Sequence, residues 1–138
     1  MTWLVDGSNF LGREREVEAS KRALVRLLAR FARARRTRMT CFFDGPEPSS
    51  FAKHLGAVTV VFSAGRPADE LIVARVAQGD TVVTSDRRLA SSVQGRRVKV
   101  VDPAAFRAEL EGLPRDEPAG DAEDWMAYFS DPKNRRNF

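Results

Sequence analysis

Short apolar runs alternate with longer amphipathic stretches along this chain, and this alternation constrains the fold more than any other feature. The apolar runs cover residues 2–5, 39–43, 58–62, 81–85 and 97–101. Helical spacing of apolar residues, together with capping residues, predicts helices over residues 17–36, 68–78, 86–93 and 103–111. Strands that alternate with helices are joined by right-handed crossovers and form parallel sheets. We therefore predict a three-layer α/β/α sandwich whose central, mainly parallel sheet has about five strands.

Length and composition limit the class of protein. The 138 residues are enough for one domain with a sizeable core. The single cysteine, Cys41, lies in an apolar run and is predicted to be a buried thiol of a cytoplasmic protein. One His and one Cys exclude a zinc site. No stretch reaches the roughly 18 apolar residues of a membrane span, and the N-terminus becomes acidic too soon for a signal peptide.

A change in composition near residue 112 divides the chain. Residues 1–111 are predicted to form the folded domain, and residues 112–120 read as a linker because they are rich in Pro, Gly and acids. Residues 121–138 form an aromatic and basic tail with a predicted short helix over 122–129. The tail either packs on its own domain, which we favour, or docks a partner such as the ribosome or another ribonucleoprotein particle.

Acidic residues follow the apolar runs at the positions where strands end or helices begin. They are Asp6, Asp44, Asp69, Glu70 and Asp86. Each motif alone also fits ordinary turn or capping chemistry. However, the carboxyl ends of parallel strands lie along one edge of a sheet, so these carboxylates should crowd together and repel each other. A hard divalent cation with oxygen ligands relieves such repulsion, so the pattern predicts a metal-dependent enzyme.

The positive charge of the chain suggests the substrate. Residues 1–111 carry 19 Lys and Arg against 13 Asp and Glu, and no acid occurs between Ala19 and Phe43. A basic body with an acidic site suggests a polyanion held against a metal. Arg26, Arg30 and Arg33 on the first long helix are candidate RNA contacts, although a merely solvated charged face is the alternative. Arginines that flank the acidic motifs are better placed to bind substrate near the metal: Arg66, Arg87 and Arg88.

Four motifs carry a resemblance to a known family. They are Leu-Val-Asp6-Gly-Ser-Asn9, Phe-Phe-Asp44-Gly, Val-Val-Phe-Ser-Ala-Gly-Arg-Pro-Ala-Asp69-Glu70-Leu-Ile and Val-Thr-Ser85-Asp86-Arg-Arg-Leu-Ala. In this order they resemble the NYN branch of PIN-like ribonucleases, closest to the bacterial YacP-like type, over about residues 2–103. The resemblance implies a PIN-like fold that cleaves single-stranded RNA with Mg²⁺ or Mn²⁺ bound to clustered acids.

The resemblance also implies roles for individual residues. Asp6 and Asp86 would be metal ligands, Asp69 a ligand directly or through water, and Asn9 a supporting polar group. Asp44 would line the same pocket, and Ser85 would steady Asp86 or a substrate phosphate. Many relatives have a second Asp where this chain has Glu70, a longer acid of similar chemistry that we also predict to be a ligand. Some relatives have a further acid at the position of Ala90.

The predicted reaction is hydrolysis of a phosphodiester bond by metal-activated water, which leaves a 5′-phosphate and a 3′-hydroxyl. The only histidine, His54, lies outside the acidic motifs and is predicted to be a loop residue. Two alternatives share the fold. One is a non-catalytic, PIN-like RNA-binding adaptor on a ribonucleoprotein particle, and the other is the toxin nuclease of a toxin–antitoxin pair.

Overall fold

The computed structural model describes residues 1–113 of the chain. The predicted tail, and the linker from residue 114 onward, lie outside the described residues. The strands are β1 (Thr2–Asp6), β2 (Arg38–Phe43), β3 (His54–Leu55), β4 (Val58–Phe62), β5 (Thr81–Val83) and β6 (Lys99–Val101). The helices are α1 (Gly7–Leu11), α2 (Glu18–Arg35), α3 (Ala68–Arg75), α4 (Arg87–Val93) and α5 (Pro103–Glu111), with 3₁₀ turns at Gly12–Glu14 and Gln94–Arg96.

All six strands form one sheet in the order β3-β4-β2-β1-β5-β6. Every neighbouring pair is parallel except β3 and β4, so the predicted mainly parallel sheet is confirmed. The sixth strand, β3, falls where the sequence predicts a loop, because it is only two residues long and has no apolar periodicity. The predicted α/β class is therefore correct, with one short antiparallel strand added at the edge.

Helices cover both faces of the sheet, as a three-layer sandwich requires. One core lies under α1, α2 and α5 and contains the fully buried Phe31 and Phe106. The other lies under α3 and α4 and contains Ile72 and Leu89. Neighbouring residues of β1 point to opposite faces, so Val5 belongs to the first core and Leu4 to the second. Both faces of β1 are thus buried, which explains its continuous apolar sequence.

The register of the strands brings their carboxyl ends to one edge. Asp6 lies opposite Phe42, Phe43 lies opposite Phe62, and Val5 lies opposite Val83. The segments after β1, β2, β4 and β5 therefore leave the sheet side by side. We call this the carboxyl edge. At the opposite, amino edge, the strands begin and α2 and α5 end, with an ion pair of 2.8 Å between Arg35 and Glu109.

Within residues 1–113, none of the helices is both long enough and apolar enough to cross a bilayer. Cys41 is a buried free thiol, in agreement with the sequence-based prediction. His54 is exposed on β3.

Candidate active site at the carboxyl edge

Asp6 is the most buried acid of the carboxyl edge, with 6 % of its surface exposed. It is the last residue of β1, and the chain turns directly into α1 behind it. Gly7 permits this turn because a Cβ there would lie only 2.6 Å from Cε1 of Phe43. The sequence reads Asp6-Gly7 as a turn, whereas the structure has a short helix that starts against β2.

Two hydrogen bonds hold the Asp6 carboxylate. Its Oδ1 accepts from the backbone N–H of Asn9 (3.3 Å), and its Oδ2 accepts from the hydroxyl of Thr84 (3.2 Å). Burial nevertheless raises the pKa of Asp6 from 3.8 to about 6, and the negative charges of Asp44 and Asp86 act in the same direction. A buried carboxylate with a raised pKa and like charges around it is a common mark of a functional site.

Asp86 lies beside Asp6 because β5 ends next to β1. Its Oδ1 caps α4 by accepting from the backbone N–H groups of Arg88 (2.9 Å) and Leu89 (3.2 Å). Thr84 links the two acids, since its hydroxyl oxygen also accepts from the backbone N–H of Asp86 (3.1 Å). Thr84 therefore fixes the spacing of Asp6 and Asp86, a role that the sequence did not indicate.

Asn9, which follows β1, and Ser85, which follows β5, are joined by two hydrogen bonds. The side-chain Oδ1 of Asn9 accepts from the backbone N–H (2.9 Å) and the hydroxyl (3.1 Å) of Ser85. The structure thus places the predicted supporting amide at the site, where it ties the segment after β1 to the segment after β5.

Asp44 occupies the other side of the site. Its backbone N–H donates to the hydroxyl of Ser8 (2.9 Å), which joins β2 to α1. Its Oδ1 accepts from the backbone N–H of Ala68 (2.8 Å) and so caps the N-terminus of α3. Asp69 follows in the first turn of α3. Both caps aim the N-termini of α3 and α4 at the site, where the helix dipoles favour negative charge.

A cavity of about 210 Å³ collects these groups. Four of the five predicted acids line it, and Arg15 contributes a positive charge; the lining residues are Asp6, Ser8, Asn9, Arg15, Asp44, Pro67, Ala68, Asp69 and Asp86. The fifth acid, Glu70, is not among them. Its carboxylate points to Arg66, 3.6 Å away, and both side chains are more than half exposed. The predicted ligand role of Glu70 therefore receives no geometric support here.

Arg15 was missed by the sequence reading. It is exposed between the 3₁₀ turn and α2, in a charged stretch without periodicity that predicts no position for it. In the part of the chain that the structure describes, it forms no ion pair with any acid.

The donor set suits a hard cation, although it is not a complete coordination sphere. Among residues 1–113, no three acids, His or Cys converge closely enough to hold a metal by themselves. Oδ2 of Asp44 and Oδ2 of Asp86 accept no hydrogen bond from these residues, so each has a free carboxylate oxygen. Mg²⁺ commonly keeps several waters and binds through one or two carboxylates. The carboxylate oxygens of the lining fit such a hydrated ion.

The structure does not bring the arginines of α2 to this cavity. Arg26, Arg30 and Arg33 line a separate groove at the amino edge, together with Thr2 at the start of β1. At a rise of about 3.3 Å per residue, Thr2 and Asp6 are roughly 13 Å apart along the strand. Arg87 and Arg88, in contrast, begin α4 directly after Asp86.

Comparisons with known proteins agree with this architecture. The crystal structure of Rae1 (YacP) from Bacillus subtilis aligns with 99 % of this chain and 95 % of its own chain, at 21 % identity and a TM-score of 0.67. A Trp-to-Leu variant of that protein aligns over 99 % of this chain and 96 % of its own, at 19 % identity and a TM-score of 0.66. No curated protein sequence matches significantly. The family model of the YacP-like NYN domain matches residues 4–124. The chain therefore belongs to the YacP-like NYN family, a nuclease-type, PIN-like family of RNA-associated proteins.

Proposed function

We propose that this protein is a metal-dependent ribonuclease that hydrolyses single-stranded RNA at the cavity of the carboxyl edge. The observation that supports this most is the convergence of Asp6, Asp44, Asp69 and Asp86 on one cavity. The repulsion between these carboxylates destabilises the fold and is relieved when a cation binds. Helix capping explains Asp44, Asp86 and one hydrogen bond of Asp6, which caps α1 through the backbone N–H of Asn9. Capping does not require that Asp6 be buried beside two other acids, however.

Asp6, Asp69 and Asp86 would hold Mg²⁺ or Mn²⁺, and Asp44 would complete the negative wall. When bound, such an ion activates a water for attack on phosphorus and stabilises the leaving oxygen, which leaves a 5′-phosphate and a 3′-hydroxyl. Thr84 and the backbone of Asn9 hold the Asp6 carboxylate in place, so little reorganisation is needed when the ion arrives.

Arginines around the cavity would position the RNA backbone. Arg15 lines the cavity itself, and Arg66, Arg87 and Arg88 stand on the segments that precede Asp69 and follow Asp86. A guanidinium binds phosphate oxygens through two parallel hydrogen bonds, which fixes a scissile phosphate as well as attracting it. Ser85 is exposed, and its hydroxyl, which donates to Oδ1 of Asn9 in the structure, would rotate to donate to a phosphate instead.

One observation favours a second candidate, a non-catalytic RNA-binding adaptor. Within residues 1–113 the acids do not form a ready-made metal site, and both oxygens of Asp6 already accept hydrogen bonds. An adaptor would bind RNA through the same arginines without requiring a cation.

Incubation of the purified full-length chain with end-labelled single-stranded RNA decides between the two. The ribonuclease requires Mn²⁺ or Mg²⁺, is stopped by EDTA and leaves 5′-phosphate ends. An adaptor binds the RNA with or without EDTA and leaves it intact. Intact RNA at full metal occupancy would therefore refute the proposed activity.

A further inference from the structure

The amino edge carries a groove that the proposed reaction does not use. Its volume is about 910 Å³, which is at the upper end of ligand-sized pockets. Apolar side chains form one part of the lining: Met1, Ala29, Ala32, Leu55 and Ala57. Arginines form the other part: Arg26, Arg30, Arg33, Arg36 and Arg38. No acid lines the groove among the residues that the structure describes. Its occupant should therefore combine apolar and acidic groups.

The chain's own C-terminal segment has this composition. Residues 116–131 contain six acids and no Lys or Arg, together with four large apolar side chains. Those four are Trp125, Met126, Tyr128 and Phe129. The pairing of aromatic with acidic residues complements an apolar floor bordered by arginines.

The described part of the chain ends at the same edge of the sheet as the groove. Glu109, near the end of α5, forms a 2.8 Å ion pair with Arg35, the neighbour of the groove residue Arg36. Leu113 packs against the larger core at the end of the described residues. The seven residues 114–120 can span about 25 Å when extended, so residue 121 is not confined to the neighbourhood of α5.

We propose that residues 121–131 of the same chain dock in the amino-edge groove, with their aromatic side chains on its apolar floor and their acids on its arginines. This docking site is independent of the proposed nuclease activity. It also gives the arginines of α2 a function that does not require RNA. RNA is the less suitable occupant, because single strands bind on aromatic stacking platforms and none of residues 1–113 that line this groove is aromatic.

Exposure of Trp125 in the full-length protein tests the proposal. Its quenching by acrylamide is obtained by subtracting the signal of Trp125→Phe, because Trp3 is the only other tryptophan. Leu55→Asp places a negative charge on the groove floor, and Leu55 is 40 % exposed, so the fold should tolerate it. Val100→Asp is the matched control, since Val100 is 37 % exposed on the opposite edge strand and does not line the groove.

A second matched pair guards against a local effect of Leu55→Asp. Arg36→Glu reverses a charge of the groove, and Arg97→Glu reverses one outside it. Both arginines are exposed and have a similar left-handed backbone, with φ of 52° and 57°. Far-UV circular dichroism confirms that each variant is folded.

The proposal predicts that Trp125 is shielded in the wild type, Val100→Asp and Arg97→Glu, and is quenched several-fold more strongly in Leu55→Asp and Arg36→Glu. Equal shielding in all variants would mean that the segment packs elsewhere, and full exposure in the wild type would mean that it does not dock; either overturns the proposal. Shielding that is lost on dilution would assign the groove to a second copy of the chain. Loss of RNA affinity in Leu55→Asp, with Trp125 exposed throughout, would assign it to RNA.

Discussion

The two edges of the sheet are built by the same strands but have opposite chemistry. At the carboxyl edge, four aspartates and Arg15 surround a small polar cavity. At the amino edge, five arginines border a larger and mainly apolar groove. The difference follows from the direction of the chain, because strand exits carry the acids whereas the end of α2 carries the arginines. A basic chain can therefore gather acids at one edge of its sheet and arginines at the other.

The largest expected effect is the loss of RNA cleavage when an acid of the carboxyl edge is replaced. Asp6→Asn or Asp86→Asn should reduce metal-dependent RNA cleavage by at least about 100-fold, because each removes a charge that holds the ion. Asp102→Asn is the matched control: Asp102 caps α5 as Asp86 caps α4, but it does not line the cavity. Cleavage rates at saturating Mn²⁺ provide the measurement. A double variant of Asp6 and Asp86 that cuts at the wild-type rate would show that the site is assigned wrongly.

The next effect concerns the positive charge inside the acidic cavity. Arg15→Gln should lower kcat/KM by about 10- to 100-fold, since a hydrogen bond to a charged group contributes about 1.5–3 kcal/mol. Arg13→Gln removes an exposed charge two residues away that does not line the cavity. Steady-state kinetics on a short oligonucleotide distinguish the two. Equal losses of kcat/KM in both variants would show that Arg15 acts only through the net charge of the protein.

A third prediction uses the raised pKa of Asp6. Because the folded-state pKa of about 6 exceeds the ordinary 3.8, the folded state binds this proton more tightly. This group therefore stabilises the metal-free fold most below about pH 4, and that contribution is lost as the pH rises through about 6. Asn does not ionise, so Asp6→Asn avoids burying a charge at neutral pH. The substitution should raise the unfolding free energy by about 1–2 kcal/mol at neutral pH, with little gain at low pH.

Urea denaturation in EDTA at about pH 4.5 and about pH 7.5 measures this difference, with Asp102→Asn as the control. A gain for Asp6→Asn that is the same at both pH values would argue against a titrating Asp6.

The smallest effect is expected from the arginines of α2. Replacing Arg26, Arg30 and Arg33 by Gln should leave the cleavage of a short oligonucleotide nearly unchanged, because they line the other edge. Replacing Arg66, Arg87 and Arg88 should flatten the salt dependence of RNA binding by roughly 0.7 log units per lost phosphate contact. A larger effect of the α2 substitutions than of the Arg66, Arg87 and Arg88 substitutions would instead support the sequence-based prediction that the α2 arginines contact RNA.

Local signals predicted those parts of the fold that local interactions determine. The sequence Asp102-Pro103 predicted the start of α5, and in the structure Oδ1 of Asp102 accepts from the backbone N–H of Ala104 (2.8 Å). The strand over residues 58–62 was predicted with its observed bounds because its residues are β-branched or aromatic throughout. Val58 and Val60 lie in the larger core, and Val61 is partly buried against the other core.

Tertiary contacts explain the misses. We expected the helix α3 to reach Gln78, but it ends at Arg75 because Asp80 caps the following turn and also accepts from the backbone N–H of Thr2 (2.9 Å). The helix α1 was missed because Gly7 reads as a turn residue, whereas its packing against Phe43 shows only in the fold.

For the site, the sequence indicated the acids and their shared edge, since both follow from parallel strands. It could not indicate that Thr84 bridges Asp6 and Asp86 or that Glu70 turns away to Arg66, because each depends on side-chain contacts across elements. Arg15 lies in a segment without periodicity, so its place on the cavity wall depends on how the 3₁₀ turn joins α1 to α2.

The central claim is that a divalent cation binds at the carboxyl edge. Addition of Mn²⁺ to the ¹⁵N-labelled full-length protein tests it directly, because the paramagnetic ion broadens the amide signals nearest to it. We predict broadening of the amides of Asn9, Asp44 and Asp86, with those of Leu55 and Ala57 at the amino edge left sharp, and we predict that Asp86→Asn abolishes the effect. Uniform broadening, or broadening centred on the amino edge, would show that the carboxyl edge is not a specific cation site.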